Sequence, residues 1–153
     1  MKLAEILGQN DIIFELKSND KKGILEELAE VICAHENSVK KEEMVNVLLE
    51  RERLGTTGIG DGVAIPHGKI ASLRYPAISF GRSRDGLDFD SIDGRPTHLF
   101  FLLVAPENSS DLHLQILARI AKILKSSTFR KRLMEARSKE DIYRIIIEID
   151  NAY

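Results

Sequence analysis

The chain has no tryptophan, one cysteine and four prolines in 153 residues. A single cysteine rules out an internal disulfide framework and every zinc site built on several thiolates. Cys33 shares a helical face with Leu25, Leu28, Ala29 and Ile32, so it reads as a buried, inert thiol and not as a nucleophile. Positive charge is not in excess either: 22 Lys and Arg against 24 Asp and Glu give a net charge of −2. No field exists to gather nucleic acid, and the densest basic run, Arg130-Lys131-Arg132, reads as a solvated helix face with acids nearby. Nowhere do about 18 apolar residues run together, so no membrane insertion is expected. Met1 to Ile13 lacks the basic start and continuous apolar run of a secretory leader. The expected location is cytoplasmic.

What is there has ordinary globular composition, 43% hydrophobic and 30% charged, and is long enough to bury a core without disulfides or metal. No Pro/Gly-rich linker or internal repeat divides it, so residues 1–153 are expected to form one domain. Ile12 to Leu16 reads as a strand. Ser18, Asn19 and Asp20 offer N-cap oxygens for a helix to about His35. A second helix spans Lys40 to about Leu54, with Met44, Val47 and Leu48 on its apolar stripe and Arg51 next along it. Thr56 to Gly62 reads as a glycine-spaced loop, and Val63 to Ile65 as a brief buried strand. Tyr75 to Arg82 and Thr97 to Ala105 read as further strands, with turns at Asp85-Gly86 and Asp93-Gly94. Leu99 to Val104 is unbroken apolar, as a central strand would be. Helices are expected over Asp111 to Lys125, Thr128 to Ala136 and Lys139 to Asp150. The sum is an α/β single-domain sandwich, a mixed β-sheet flanked by helices.

Three side chains carry the chemical signal. Pro66 fixes its own φ and pushes Ile65 to an extended conformation, so His67 is delivered rigidly where the strand must stop. Such a histidine can act as acid, base, metal ligand or nucleophile, or it is simply a polar loop residue. His113 lies in the first turn of a helix on one face with Ile116, Leu117, Ile120 and Leu124. It is either a core histidine or, past the carboxyl end of a central strand, a neutral donor to a bound anion. Arg51 suits either a structural ion pair or a phosphoryl group held bidentately. The spacing in Gly58-Ile59-Gly60-Asp61-Gly62 matches neither the dinucleotide fingerprint nor the P-loop, so its better use is close approach of backbone N–H groups to an anion. His35 and His98 look structural. No third ligand joins His67 and His113 at metal-binding spacing, which leaves zinc hydrolysis the weaker option.

Arg51-Glu52, then Thr57-Gly58-Ile59-Gly60, then Val63-Ala64-Ile65-Pro66-His67-Gly68 together closely resemble the IIA component of the fructose/mannitol class of the bacterial phosphoenolpyruvate-dependent sugar phosphotransferase system (PTS EIIA type-2). The likeness continues through Asp85 to Asp90, Asp93-Gly94-Arg95-Pro96, Leu99 to Val104, Ala105-Pro106-Glu107 and Leu112-His113-Leu114-Gln115-Ile116-Leu117-Ala118. It covers essentially the whole chain. Within the class it looks most like the nitrogen-regulatory IIA proteins, with Thr56-Thr57 where Ser-Thr is commoner. The resemblance implies that His67 accepts a phosphoryl group from a phosphohistidine on a small carrier protein (HPr or a nitrogen-type equivalent) and passes it to a cysteine on a IIB domain or protein. It implies His113 as the second active-site histidine, Arg51 as the arginine beside it, and Thr57 and Asp61 as loop residues near the phosphoryl group. No cofactor and no metal are implied. The alternative within the resemblance is a regulatory phosphoprotein that binds target proteins according to the phosphorylation state of His67.

Overall fold

The computed structural model describes residues 1–153 as six strands and five α-helices around one sheet. Two short 3-10 turns, Leu3–Glu5 and Gln9–Asp11, lead into β1 (Ile12–Ile13). Helix α1 (Lys21–Cys33) starts at Asp20, whose carboxylate accepts the Gly23 N–H at 2.8 Å, the N-cap expected from a short acidic side chain. Helix α2 (Lys41–Leu54) has Glu42 and Glu43 in its first turn and Arg51 and Arg53 in its last, each sign matching the helix dipole. Then come β2 (Gly58–Gly60), β3 (Val63–Ala64), β4 (His67–Lys69), β5 (Ala77–Leu87), β6 (Thr97–Ala105), α3 (Ser110–Ile123), α4 (Ser127–Glu135) and α5 (Lys139–Asn151).

The lanes run β1-β5-β6-β3-β2, with β4 also on β6. β5 and β6 are antiparallel, while β1 on β5 and β3 and β4 on β6 are parallel. The expected mixed sheet and central strand are both observed. Side chains alternate along β6: Leu99, Phe101 and Leu103 enter a core under α3, α4 and α5, and Phe100, Leu102 and Val104 enter another under α1 and α2. Helices on both faces explain why β6 is unbroken apolar from Leu99 to Ala105 and does not alternate there.

Three expectations are corrected. The segment Thr56 to Gly62 is not all loop: Gly58–Gly60 pairs with Val63–Ala64 as a hairpin. Asp61 and Gly62 form its turn with φ of 57° and 76°, the positive pair that a two-residue hairpin turn requires. Asp85-Gly86 does not end a strand either. It sits inside β5 at an irregularity between Arg82 and Leu87, where Gly86 supplies a φ of 77° and the ladder then resumes. Cys33 is half-buried, at the margin of the apolar face and not beneath it. Burial, then Glu42, holds its thiol above the usual pKa, which favours the protonated form.

The two ends of the chain meet. The Asp150 carboxylate, fully buried on α5, accepts the Ala4 N–H at 3.2 Å and pairs with Arg119 Nε at 2.6 Å. Lys2 Nζ donates to Asn151 Oδ1 at 3.2 Å.

Candidate active site

His67 does not follow the end of a strand; it opens one. Val63 and Ala64 pair with Leu99 and Phe100, and His67, Gly68 and Lys69 pair with Leu103, Val104 and Ala105 at the same offset. β3 and β4 are therefore one lane along β6, broken at Ile65-Pro66. Pro66 has no N–H to give the ladder, although its carbonyl still accepts the Leu103 N–H at 2.9 Å. Ile65 turns aside: its N–H donates to the Thr57 carbonyl at 3.0 Å, and its own carbonyl lies 2.8 Å from His67 Nδ1. A carbonyl only accepts, so Nδ1 carries the proton and Nε2 keeps its lone pair.

That lone pair faces a guanidinium. Arg51 Nε donates to His67 Nε2 at 3.3 Å while its Nη1 donates to the Gly55 carbonyl at 2.9 Å. Arg51 makes no ion pair with any carboxylate, so the structural alternative for it is not observed. The His113 ring, 5% exposed, stands edge-on to His67 with centroids 5.5 Å apart and planes at 62°. It sits in the first turn of α3, just past the carboxyl end of β6, where open α/β sheets gather their ligands. Its Nδ1 is buried without a partner. Together with Lys69 these three line a pocket of about 470 Å³. Lys69 Nζ is held 2.7 Å from Ser110 Oγ.

Both imidazoles are kept neutral. Burial lowers the His67 pKa, and Arg51 adds to it, against the opposing pull of the Ile65 carbonyl and of Glu52. Burial, then His67, then Lys69 push His113 down to about 4, so burial leads where the helix dipole was expected to. A nucleophilic nitrogen, a cation and a second neutral ring in one pocket can accept an anionic electrophile and stabilise charge on its oxygens.

The structure thus brings together His67, His113 and Arg51; Thr57 borders an adjoining cleft with Arg51 and His67, and Asp61 stands apart from both. Thr57 is 4% exposed; its hydroxyl and N–H both go to the Glu52 carboxylate, so no donor remains for a phosphoryl group. Asp61 caps the far end of the β2–β3 hairpin, where its N–H meets Asp93 Oδ2 at 3.1 Å. Sequence reasoning assigns Glu52 no role of its own, although a signal is present, a carboxylate adjoining the arginine at the end of α2. His35 and His98 are structural, bonded to Asp11 Oδ1 at 2.6 Å and to the Ser83 carbonyl at 3.0 Å. No three His, Cys, Asp or Glu side chains are clustered to hold a metal ion, and no helix is long and apolar enough to cross a membrane.

The family model for the phosphoenolpyruvate-dependent sugar phosphotransferase system, EIIA 2, matches residues 5–149. The chain is 39% identical over 150 residues to the fructose-specific EIIABC component of Bacillus subtilis strain 168. That match covers 98% of this chain but only 24% of the larger protein. With the nitrogen regulatory protein of Bradyrhizobium diazoefficiens it is 40% identical over 146 residues, 95% of each chain. The crystal structure of nitrogen regulatory protein IIA-Ntr from Neisseria meningitidis superposes with a TM-score of 0.88 at 35% identity, over 94% of this chain and 98% of that one.

Proposed function

The chain belongs to the EIIA 2 family of the phosphoenolpyruvate-dependent sugar phosphotransferase system, and we propose that it relays phosphoryl groups through Nε2 of His67. One observation carries the reading: Nδ1 is tied to the Ile65 carbonyl while Nε2 faces Arg51 and the His113 pocket. In the step, the Nε2 lone pair attacks phosphorus and forms an N–P bond. The N–P bond of the donor phosphohistidine breaks, and its electron pair returns to the donor ring, which leaves neutral. His67 keeps its Nδ1 proton and carries the charge of a phosphoimidazolium. Arg51, freed from Nε2, and His113 are placed to bind the phosphoryl oxygens, since a loose transition state asks mainly for position and charge. In the reverse sense a cysteine thiolate of a IIB component takes the phosphoryl group and His67 leaves as a neutral imidazole. No nucleotide takes part.

The test is incubation with phosphoenolpyruvate, the first enzyme of the system and a histidine phosphocarrier protein, followed by intact mass. One acid-labile phosphoryl group should be gained, and His67→Gln should gain none. Equal uptake by that variant, or an acid-stable label, overturns the assignment. The regulatory reading is supported by the likeness to nitrogen regulatory proteins; a phosphorylated chain that no IIB protein drains would favour it.

A further inference from the structure

Glu52 takes no part in the step above, yet its carboxylate is among the most fully engaged in the molecule. The side chain is 3% exposed and lies 3.1 Å from Lys21 Nζ, which also pairs with Asp90 at 2.9 Å and sits over the Phe89 ring. Its other partner is Thr57: the N–H donates to Oε1 at 3.2 Å, and the hydroxyl donates to Oε2. Thr57 accepts the Ile65 N–H, and the Ile65 carbonyl accepts Nδ1–H of His67. Carboxylate, Thr57, Ile65 and imidazole form one continuous hydrogen-bonded line.

We propose that Glu52 is the positioning residue of the phosphoryl acceptor: it anchors Thr57, Thr57 sets Ile65, and the Ile65 carbonyl fixes the tautomer and orientation of His67. The proposal rests on the reading of His67 as that acceptor. Lys21 alone would account for a buried ion pair, but Lys21 engages only Oε1, and Oε2 is committed to Thr57. The line also runs through the one place where the lane leaves β6. There β6 holds only the Pro66 carbonyl, and Ile65 is held instead by its contact with Thr57. A buried carboxylate in addition favours the positive charge that the ring takes up with the phosphoryl group. Arg51 precedes Glu52 on the same last turn of α2, so anchoring Glu52 also fixes where the guanidinium meets Nε2.

The experiment is nitrogen NMR of the His67 ring in the unphosphorylated protein, parent against Glu52→Gln, with phosphoryl uptake timed alongside. The parent should show the Nδ1–H form alone. Glu52→Gln should show both tautomers and take up phosphoryl roughly tenfold to a hundredfold more slowly, the scale of a small misplacement at a reacting atom. A variant that keeps the pure Nδ1–H form and the parental rate overturns the proposal. Should Glu52→Gln fail to fold, Thr57→Val decides by the same signature, because it cuts the hydroxyl from the line and keeps the backbone. The ring signature is read with no phosphoryl donor present. A parent that never takes up phosphate would therefore sink the functional reading, while the tautomer comparison would still decide whether Glu52 orients the ring.

Discussion

His67 and His113 share a pocket in which neither imidazole is charged, and the cause, burial first, makes the fold sensitive to acid. The ordinary pKa of 6.5 for His113 falls to about 4 in the folded protein. Between those values the unfolded chain binds a proton that the folded chain refuses, so this contribution is whole above 6.5 and is lost as pH falls toward 4. His113→Gln removes the titration. On going from pH 7 to pH 4.5 the variant should lose about 2 kcal/mol less stability than the parent, as measured by chemical denaturation at both values. Equal losses would mean that the ring is not held neutral by its surroundings. These two histidines and Arg51 are legible in the sequence because each has a local cue: a proline before a histidine, or a place on an apolar stripe. The role of Thr57 is not, because its hydroxyl is consumed by Glu52, a pairing across a turn that no periodicity reports.

Helix α2 lies on β4 with no room to spare at Gly68. A Cβ there would stand 2.7 Å from Val47 Cγ1 and 3.8 Å from Leu48 Cδ2, and Val47 is one turn before Arg51. The bare glycine sets how closely the helix carrying the guanidinium approaches the strand carrying His67. Gly68→Ala should keep the fold at a cost of about 1–3 kcal/mol and slow phosphoryl uptake roughly tenfold by lifting Arg51 away from Nε2. Gly94→Ala is the control. With a φ of 70° and nothing within 4 Å of the added carbon, it is strained and lines neither cleft around His67, so it should lose stability without losing rate. Uptake as fast in Gly68→Ala as in the parent would show that the contact does not set the geometry. At this scale the helices are legible to within a few residues, because caps and apolar stripes mark them. The β2–β3 hairpin is not: strands of two and three residues have no room to show alternation. Its one cue, Asp61-Gly62, reads equally well as part of a glycine loop.

Across the whole molecule two cores sit back to back on one sheet, and the core under α3, α4 and α5 also receives Leu3 and Leu7 from the start of the chain. The latch is Asp150, buried between Arg119 and the Ala4 N–H. Asp150→Ala removes the carboxylate from Arg119, leaving it only the Asp150 and Tyr153 carbonyls, and strands the Ala4 N–H, so it should cost about 3 kcal/mol. Limited proteolysis should then cut first near the two ends, while phosphoryl uptake per folded molecule is unchanged. Unaltered denaturation midpoints would show that the pair contributes nothing. The layered mixed sheet follows from strands interleaved with helices. The strand order does not, because β1 on β5 and β3 on β6 pair residues distant along the chain, and composition says nothing about which partners meet.

The contact between Lys2 and Asn151 gives the chain a nearly circular connectivity. A path that almost closes on itself does not depend on where it is opened, provided the opening falls at an exposed tip. The Asp93-Gly94 turn is such a tip. Joining the present ends by a short linker and reopening the circle there would leave every hydrogen bond from Glu52 to His67 on uninterrupted chain. The site is a property of the ring, and its order along the sequence is incidental.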